Sequence, residues 1–176
     1  LLLTAENPTS VHEPLMVRLH RHSRFIYGAM ALVVFVSDQL TKAMVERSIP
    51  LHSVVPVIPH FFNLTHTRNP GAAFGLFSES PTPWKTALLV MVSVALLIAV
   101  IIVMWKSRRL QWQAGVAMAL IVGGAASNLL DRICYGKVTD FLDFYWRDYH
   151  WFTFNLADSA IVVGAFLLVI HLVASG

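Results

Sequence analysis

The sequence predicts an all-α integral membrane protein. It would have four transmembrane helices, a small extracytoplasmic β element and an interfacial second outer loop. Three observations carry this. First, the 176-residue chain is 56% hydrophobic and only 13% charged, with a mean hydropathy of +0.63; a soluble domain carries about 25% charged residues. Second, four apolar runs, Phe25–Val45, Thr86–Trp105, Ala114–Leu130 and Leu156–Val173, approach the ~20 residues needed to cross a bilayer as a helix. Third, if each run crosses once, every aspartate falls on one membrane face: Asp38, Asp131, Asp140, Asp143, Asp148 and Asp158. Ionisable groups near hydrocarbon are costly to keep, so their gathering at one face marks a candidate site.

Residues 1–17, with Pro8 and Pro14, read as a disordered extension with Met16 as a candidate start, and residues 18–176 as one four-helix membrane domain. The first run ends without a small-residue cleavage pattern and carries Asp38 and Lys42, so it reads as a span and not as a signal peptide. Arg18, Arg21 and Arg24 crowd its start, and Lys106, Arg108 and Arg109 fill the link between runs two and three. Dense basic residues beside short loops mark the cytoplasmic side. Both termini are then inside, and the aspartates face out.

The first outer loop runs from about Arg47 to Lys85. Pro50, Pro56 and Pro59 forbid a long helix at its start. From Phe61 to Thr67 the residues alternate, with Phe62, Leu64 and His66 on one side and Asn63, Thr65 and Thr67 on the other. That is strand periodicity, and it predicts a small sheet at the membrane surface, followed by a turn over Asn69–Gly75. The third run carries Gly115, Ala119, Gly123 and Ser127 at four-residue spacing, with Gly124 and Asn128 in parallel. Ala160 and Gly164 repeat the interval in the fourth. Small residues so spaced let helix backbones approach in lipid, which predicts close packing of runs three and four and draws Asp131 towards Asp158. The second outer loop, Asp131–Asn155, is rich in aromatic residues. Trp and Tyr favour the headgroup layer, so it should hug the interface.

The pI near 9.3 reflects Lys and Arg beside the spans, which argues against nucleic-acid binding. The lone Cys134 excludes an internal disulfide and reads as a small apolar filler. Eight histidines invite a metal, but none are spaced i, i+4 and no Cys-x-x-Cys is present, so no metal site is expected. No Gly-x-Ser-x-Gly occurs. A serine/lysine dyad drawn from Ser127, Ser159, Lys42 and Lys137 is conceivable, although nothing in the sequence brings a pair into contact.

Paired carboxylates are the stronger candidate. Taken singly, each acid has a plain explanation. Asp158 suits a helix start. Asp38 and Lys42, spaced i, i+4, can neutralise each other. Asp131, with Arg132 beside it and Asn128 one turn earlier, reads as an ion-pair cluster in which Arg132 fixes the second outer loop. Asp140 lies between Val138 and Phe141, where a solvated loop acid would be odd. Taken together, with Asn69, Asn128 and Asn155 as partners, they favour a site. Asp143 and Asp148 read as ordinary loop acids.

Four blocks of the sequence resemble the lipoprotein signal peptidases, or signal peptidase II. They are Asp38-Gln39-Leu40-Thr41-Lys42; Asn69-Pro70-Gly71-Ala72-Ala73-Phe74-Gly75; Gly123 to Arg132 followed by Val138-Thr139-Asp140-Phe141; and Phe154-Asn155-Leu156-Ala157-Asp158-Ser159. The resemblance implies an aspartic endopeptidase of the bacterial inner membrane. Its substrate would be a diacylglyceryl-modified prolipoprotein, cut just before the lipidated cysteine near the outer face. By that resemblance the catalytic pair falls on Asp140 and Asp158, and supporting positions on Asp38, Lys42, Asn69, Gly71, Asn128, Asp131, Arg132 and Asn155. It also implies contact with membrane lipids, inhibition by globomycin-like cyclic peptides and no cofactor; the chain is expected to act as a monomer. Pro70 stands where the family commonly has Thr. Thr139 stands where it commonly has an aliphatic residue, and its hydroxyl is expected to add a hydrogen bond beside Asp140. Two other classes compete. A small proton- or cation-coupled transporter predicts acids spread through the membrane depth, whereas the inner halves of these spans carry none. A non-catalytic scaffold predicts tolerance of Asn at Asp140 and Asp158.

Overall fold

A computed structural model describes residues 15–71, 83–107 and 110–175. The elements are α1 (Leu15–Ser48), β1 (Val54–Ile58), β2 (Phe62–Asn69), α2 (Pro83–Lys106), α3 (Trp112–Tyr135), β3 (Val138–Trp146), β4 (Tyr149–His150) and α4 (Leu156–Ser175). All four helices are long and apolar enough to cross a membrane. Of the extension expected over residues 1–17, residues 1–14 lie outside the described residues, and α1 begins at Leu15. The turn expected over Asn69–Gly75 lies outside them beyond Gly71.

Helix α3 sits at the centre, packed against α4, α1 and α2. Lipid tails are as apolar as the helices, so close backbone approach and polar bonds must hold the bundle together. The small residues of α3 divide between two neighbours. Gly123 backs onto the Ala31 carbonyl of α1, and Gly124 onto the Ala157 carbonyl of α4; a Cβ at either would lie 2.5 Å from that oxygen. Gly164 of α4 meets the Ala117 carbonyl of α3 in the same way. The expected α3–α4 contact is present, and the Gly123–Ser127 stripe turns instead to α1. Helix α3 ends at Gly136, whose φ of 69° places it in the left-handed region, with its N–H donating to the Arg132 carbonyl at 3.0 Å.

The strands form one antiparallel sheet in the order β1-β2-β3-β4. The second outer segment therefore contributes a nine-residue strand, β3, to this sheet. The alternation that would have announced it is hidden, because side chains on both faces of its first half are buried. Phe141 packs with Val45 and Ile49 at the end of α1, joined by Leu64, Leu142 and Leu156. Part of the aromatic set turns inward too, with Phe144 against Phe62 at 4.7 Å and Phe154 at 5.8 Å between ring centroids.

Strict alternation in β2 fails at one point. Leu64 pairs with Leu142 but Thr67 pairs with Asp140, so Thr65 and His66 together oppose Phe141. This is a β-bulge. Both bulge residues are buried, and His66 Nδ1 donates to the Ile49 carbonyl at 2.8 Å, pinning the bulge to the end of α1. Beyond it, Thr67 and Asn69 lie on the same side of the sheet as Asp140. Asp143 also departs from expectation. It is buried, accepting from Asn63 Nδ2 at 2.8 Å and paired with His150 Nδ1 at 2.8 Å.

Gly124→Val should lower stability by about 1–3 kcal/mol, the cost of overpacking a close contact. Because α4 would be pushed from Ala157, the residue before Asp158, activity should fall as well. Denaturant unfolding in detergent micelles measures the first effect; unchanged stability would refute the close α3–α4 packing.

Candidate active site

Helix α1 brings Asp38 and Lys42, one turn apart, against α3. Lys42 Nζ lies 2.6 Å from Asp38 Oδ2, 2.6 Å from Asp131 Oδ2 and 2.8 Å from Asn128 Oδ1. An ammonium has three protons, and each finds an oxygen. Lys42 is 4% exposed and Asp38 fully buried. Asp38 also accepts from Ser127 Oγ at 2.7 Å and, through its other oxygen, from the Ala157 N–H at 2.8 Å. That second bond satisfies one of the free amides at the α4 N-terminus. Gln39 Nε2 ties Ser127 Oγ to Asp131 Oδ1 at 2.9 and 2.8 Å.

Helix α4 begins with a reciprocal cap. Asn155 Oδ1 accepts from the Asp158 N–H at 2.9 Å, and Asp158 Oδ2 from the Asn155 N–H at 3.3 Å. This is a capping box, which an Asn three residues before an Asp can form. The plain reading of Asp158 as a helix-start residue therefore holds. It does not exclude chemistry, because Asp158 also lines a cavity, and its other carboxylate oxygen, Oδ1, accepts from Asn128 Nδ2 at 2.8 Å.

Strand β3 supplies Asp140. Its Oδ1 accepts from Asn155 Nδ2 at 2.8 Å and its Oδ2 from Asn69 Nδ2 at 3.1 Å. Three asparagines thus present amide N–H groups to the two acids, and each is oriented by a bond to its oxygen. Lys42 holds the oxygen of Asn128, the Asp158 N–H that of Asn155, and the Gly71 N–H that of Asn69 at 2.9 Å. Arg132 donates to the carbonyls of Gly71 at 3.0 Å and Asn128 at 3.2 Å. It therefore ties down the first outer loop, not the second, and the cation paired with Asp131 is Lys42. Thr139 does not bond beside Asp140; its hydroxyl turns to Glu46 of α1 at 2.5 Å.

Asp140 and Asp158 line one cavity of about 570 Å³ with Asn69 and Arg132, between apolar walls from Trp151, Phe152, Ile161 and Val162. Burial, and then the neighbouring charge of Asp158, push the Asp140 carboxyl up to about 7, against the opposing bonds from Asn69 and Asn155. Two carboxylates so placed titrate as a pair and favour holding one proton between them.

All ten predicted site residues fall in this assembly. Gln39, Ser127 and Thr67 belong to it without having been singled out for it. Ser127 lies one turn before Asp131, a spacing that gives Ser127 away, whereas Gln39 reaches both only through the α1–α3 contact. Ser127 is fully buried with its hydroxyl on Asp38, so it is no reachable nucleophile. Thr67 donates to the Asp140 carbonyl at 3.1 Å, a placement that only the bulge creates.

Comparison with known proteins places the chain in one family. A family model described as Signal peptidase (SPase) II matches residues 30–174. A lipoprotein signal peptidase of Solibacter usitatus is 47% identical over 146 residues, 83% of this chain and 88% of that protein. One of Nitratidesulfovibrio vulgaris is 45% identical over 144 residues, 82% and 86% of the two chains. A solved bacterial membrane enzyme superposes with a TM-score of 0.76 at 32% identity, covering 85% of this chain and 88% of that one.

Lys42→Met leaves two buried carboxylates without their cation and should cost about 3–5 kcal/mol. Adding Asp131→Asn should recover part of that loss, because one orphaned charge goes with it. Equilibrium unfolding of both variants reads this, and equal stability of Lys42→Met and the unsubstituted protein would sink the account.

Proposed function

The chain belongs to the signal peptidase II family, and from that premise we propose that it is an aspartic endopeptidase with Asp140 and Asp158 as its catalytic pair. It is a multi-pass bacterial membrane peptidase that processes prolipoprotein signal peptides. The observation that carries the catalytic reading is the sharing of one cavity by a buried carboxyl, Asp140, and a half-buried one, Asp158, each held by asparagine amides.

With one proton on the pair, the ionised member takes a proton from water, and that water attacks the scissile carbonyl. The protonated member donates to the carbonyl oxygen as charge develops on it. When the tetrahedral intermediate collapses, a proton passes to the leaving amine and the pair regains its single-proton state. Asn69, Asn128 and Asn155 keep both carboxyls aimed at the cavity throughout. Lys42, Asp38 and Asp131 hold the helices that carry them, and Arg132 and Gly71 hold the first outer loop against the site.

The substrate is a diacylglyceryl-modified prolipoprotein, cut before the lipidated cysteine. The mostly apolar cavity at the helix ends suits a cysteine whose acyl chains remain in the lipid. The cavity faces outward and both termini lie in the cytoplasm on this reading, because basic residues are densest beside the helix ends and the short link at the opposite end. There Arg24 donates to the Trp105 carbonyl at 3.1 Å. The same cavity would receive globomycin-like cyclic peptides, and the chain acts as a monomer.

Asp140→Asn and Asp158→Asn should each lower cleavage of a lipidated precursor by roughly 100-fold or more while the protein still folds. An unlipidated precursor should be a poor substrate. Retained cleavage in either purified variant would exclude the pair. The pH dependence follows from the raised Asp140. Its proton is present below about 7 and leaves as the pH rises through that value, so kcat/KM should fall on the alkaline side. Asn69→Ala removes a bond that favours the ionised form, and should move that alkaline limb upward. A profile flat from pH ~6 to ~9 would contradict the shared proton.

A further inference from the structure

Residues 151–154 run beside β3 on the side away from β2. Leu142 N–H donates to the Phe154 carbonyl at 2.8 Å and Phe154 N–H to the Leu142 carbonyl at 3.2 Å, while Trp151 N–H reaches the Phe144 carbonyl at 2.8 Å. Main-chain polar groups alternate sides along an extended chain. Trp151 and Phe154, three residues apart, both turn an N–H to β3, so the alternation breaks once between them; Thr153, directly before Phe154, bonds nothing on β3 and has its N–H and C=O on the opposite edge. Among the described residues neither has a hydrogen-bond partner. An open edge of this kind is a template for another strand.

This edge belongs to the catalytic cavity. Trp151, Phe152 and Thr153 line it together with Asp140 and Asp158. One hydroxyl separates Thr153 from Asp140: Thr67 Oγ1 donates to the Asp140 carbonyl at 3.1 Å and lies 3.2 Å from Thr153 Oγ1. The Thr153 side chain is thus engaged within the protein, and its main chain is open.

A precursor crossing the membrane as a helix bonds its own backbone. Cleavage requires that a stretch around the cut unwind, which frees N–H and C=O groups in a site poor in water. Each such group is costly unless it finds a partner. We propose that the main-chain edge at Thr153 binds the unwound precursor as an added strand, its N–H and C=O bonding one substrate residue beside the cut. The inference rests on the peptidase reading above. Bonds between main chains read no side chain, so this contact serves precursors of differing sequence. The apolar walls then select small or apolar side chains on the alternate positions.

The test replaces each substrate N–H in turn, outside the scissile bond, with an ester oxygen in a lipidated precursor peptide, and measures kcat/KM with the full-length protein in lipid vesicles. One position near the cut should lose roughly 5- to 100-fold, with both of its neighbours tolerant. Thr153→Pro, which removes the other half of the bridge, should lower kcat/KM for every precursor by a similar factor. Should the proline variant fail to fold, the ester scan on the unsubstituted protein still decides. An even profile across all positions, or full activity of folded Thr153→Pro, overturns the strand edge while leaving the peptidase reading intact. Failure to cleave the unmodified lipidated precursor overturns both.

Discussion

Lys42 lies buried near the outer end of the helix bundle with all three ammonium protons bonded, and the geometry of the site follows from where those bonds go. Removing three charges from water costs several kcal/mol per ion unless the geometry is close and complete. Contacts of 2.6, 2.6 and 2.8 Å to oxygens on α1 and α3 meet that demand. The cation also dictates orientation. It claims the oxygen of Asn128, so the amide nitrogen of that residue must face Asp158. Asp38, neutralised by Lys42, is left with an oxygen for the α4 N-terminus. A single buried charge therefore joins three helices and aims a donor at Asp158.

Asn155 joins the strand to the helix in the same fashion. Its oxygen caps α4, its N–H returns the bond to Asp158, and its amide nitrogen reaches Asp140. One side chain thereby sets the relation between an acid on a helix and an acid on a strand. Replacing the amide by an apolar side chain would remove the oxygen cap and the bond to Asp140 together, leaving only the main-chain N–H bond to Asp158. The repeated use of asparagine has a common reason. Its oxygen can be held by a donor while its two N–H groups remain for a carboxylate, and neutral donors steady the acids without adding a competing charge.

The helix contacts place this polar network in a setting that lipid alone would not assemble. Gly123 and Gly124 are adjacent on α3 and face different neighbours, so α1 and α4 both approach within backbone distance. The sheet closes the outer end. Its bulge at Thr65 and His66 shifts the register of β2 by one residue, which turns Thr67 and Asn69 to the face of Asp140. Without the shift, Asn69 would point away from the acid it holds.

Much of this was legible in the sequence. Hydrophobic runs of the right length specify spans, because a bilayer demands about twenty apolar residues whatever their neighbours. Aspartates and asparagines at the ends of those runs marked the site, since polar groups persist there only with partners. Tertiary structure decided the rest. It made a strand of 138–146, whose alternation vanishes when both faces are buried. It paired Asp131 with Lys42 of α1 in place of the adjacent Arg132, because neighbours in a helix point apart. It buried Asp143, and it sent the Thr139 hydroxyl to Glu46. Each of these depends on which surface of one element meets another, and that is fixed by packing and register across the whole chain, not by any local run of residues.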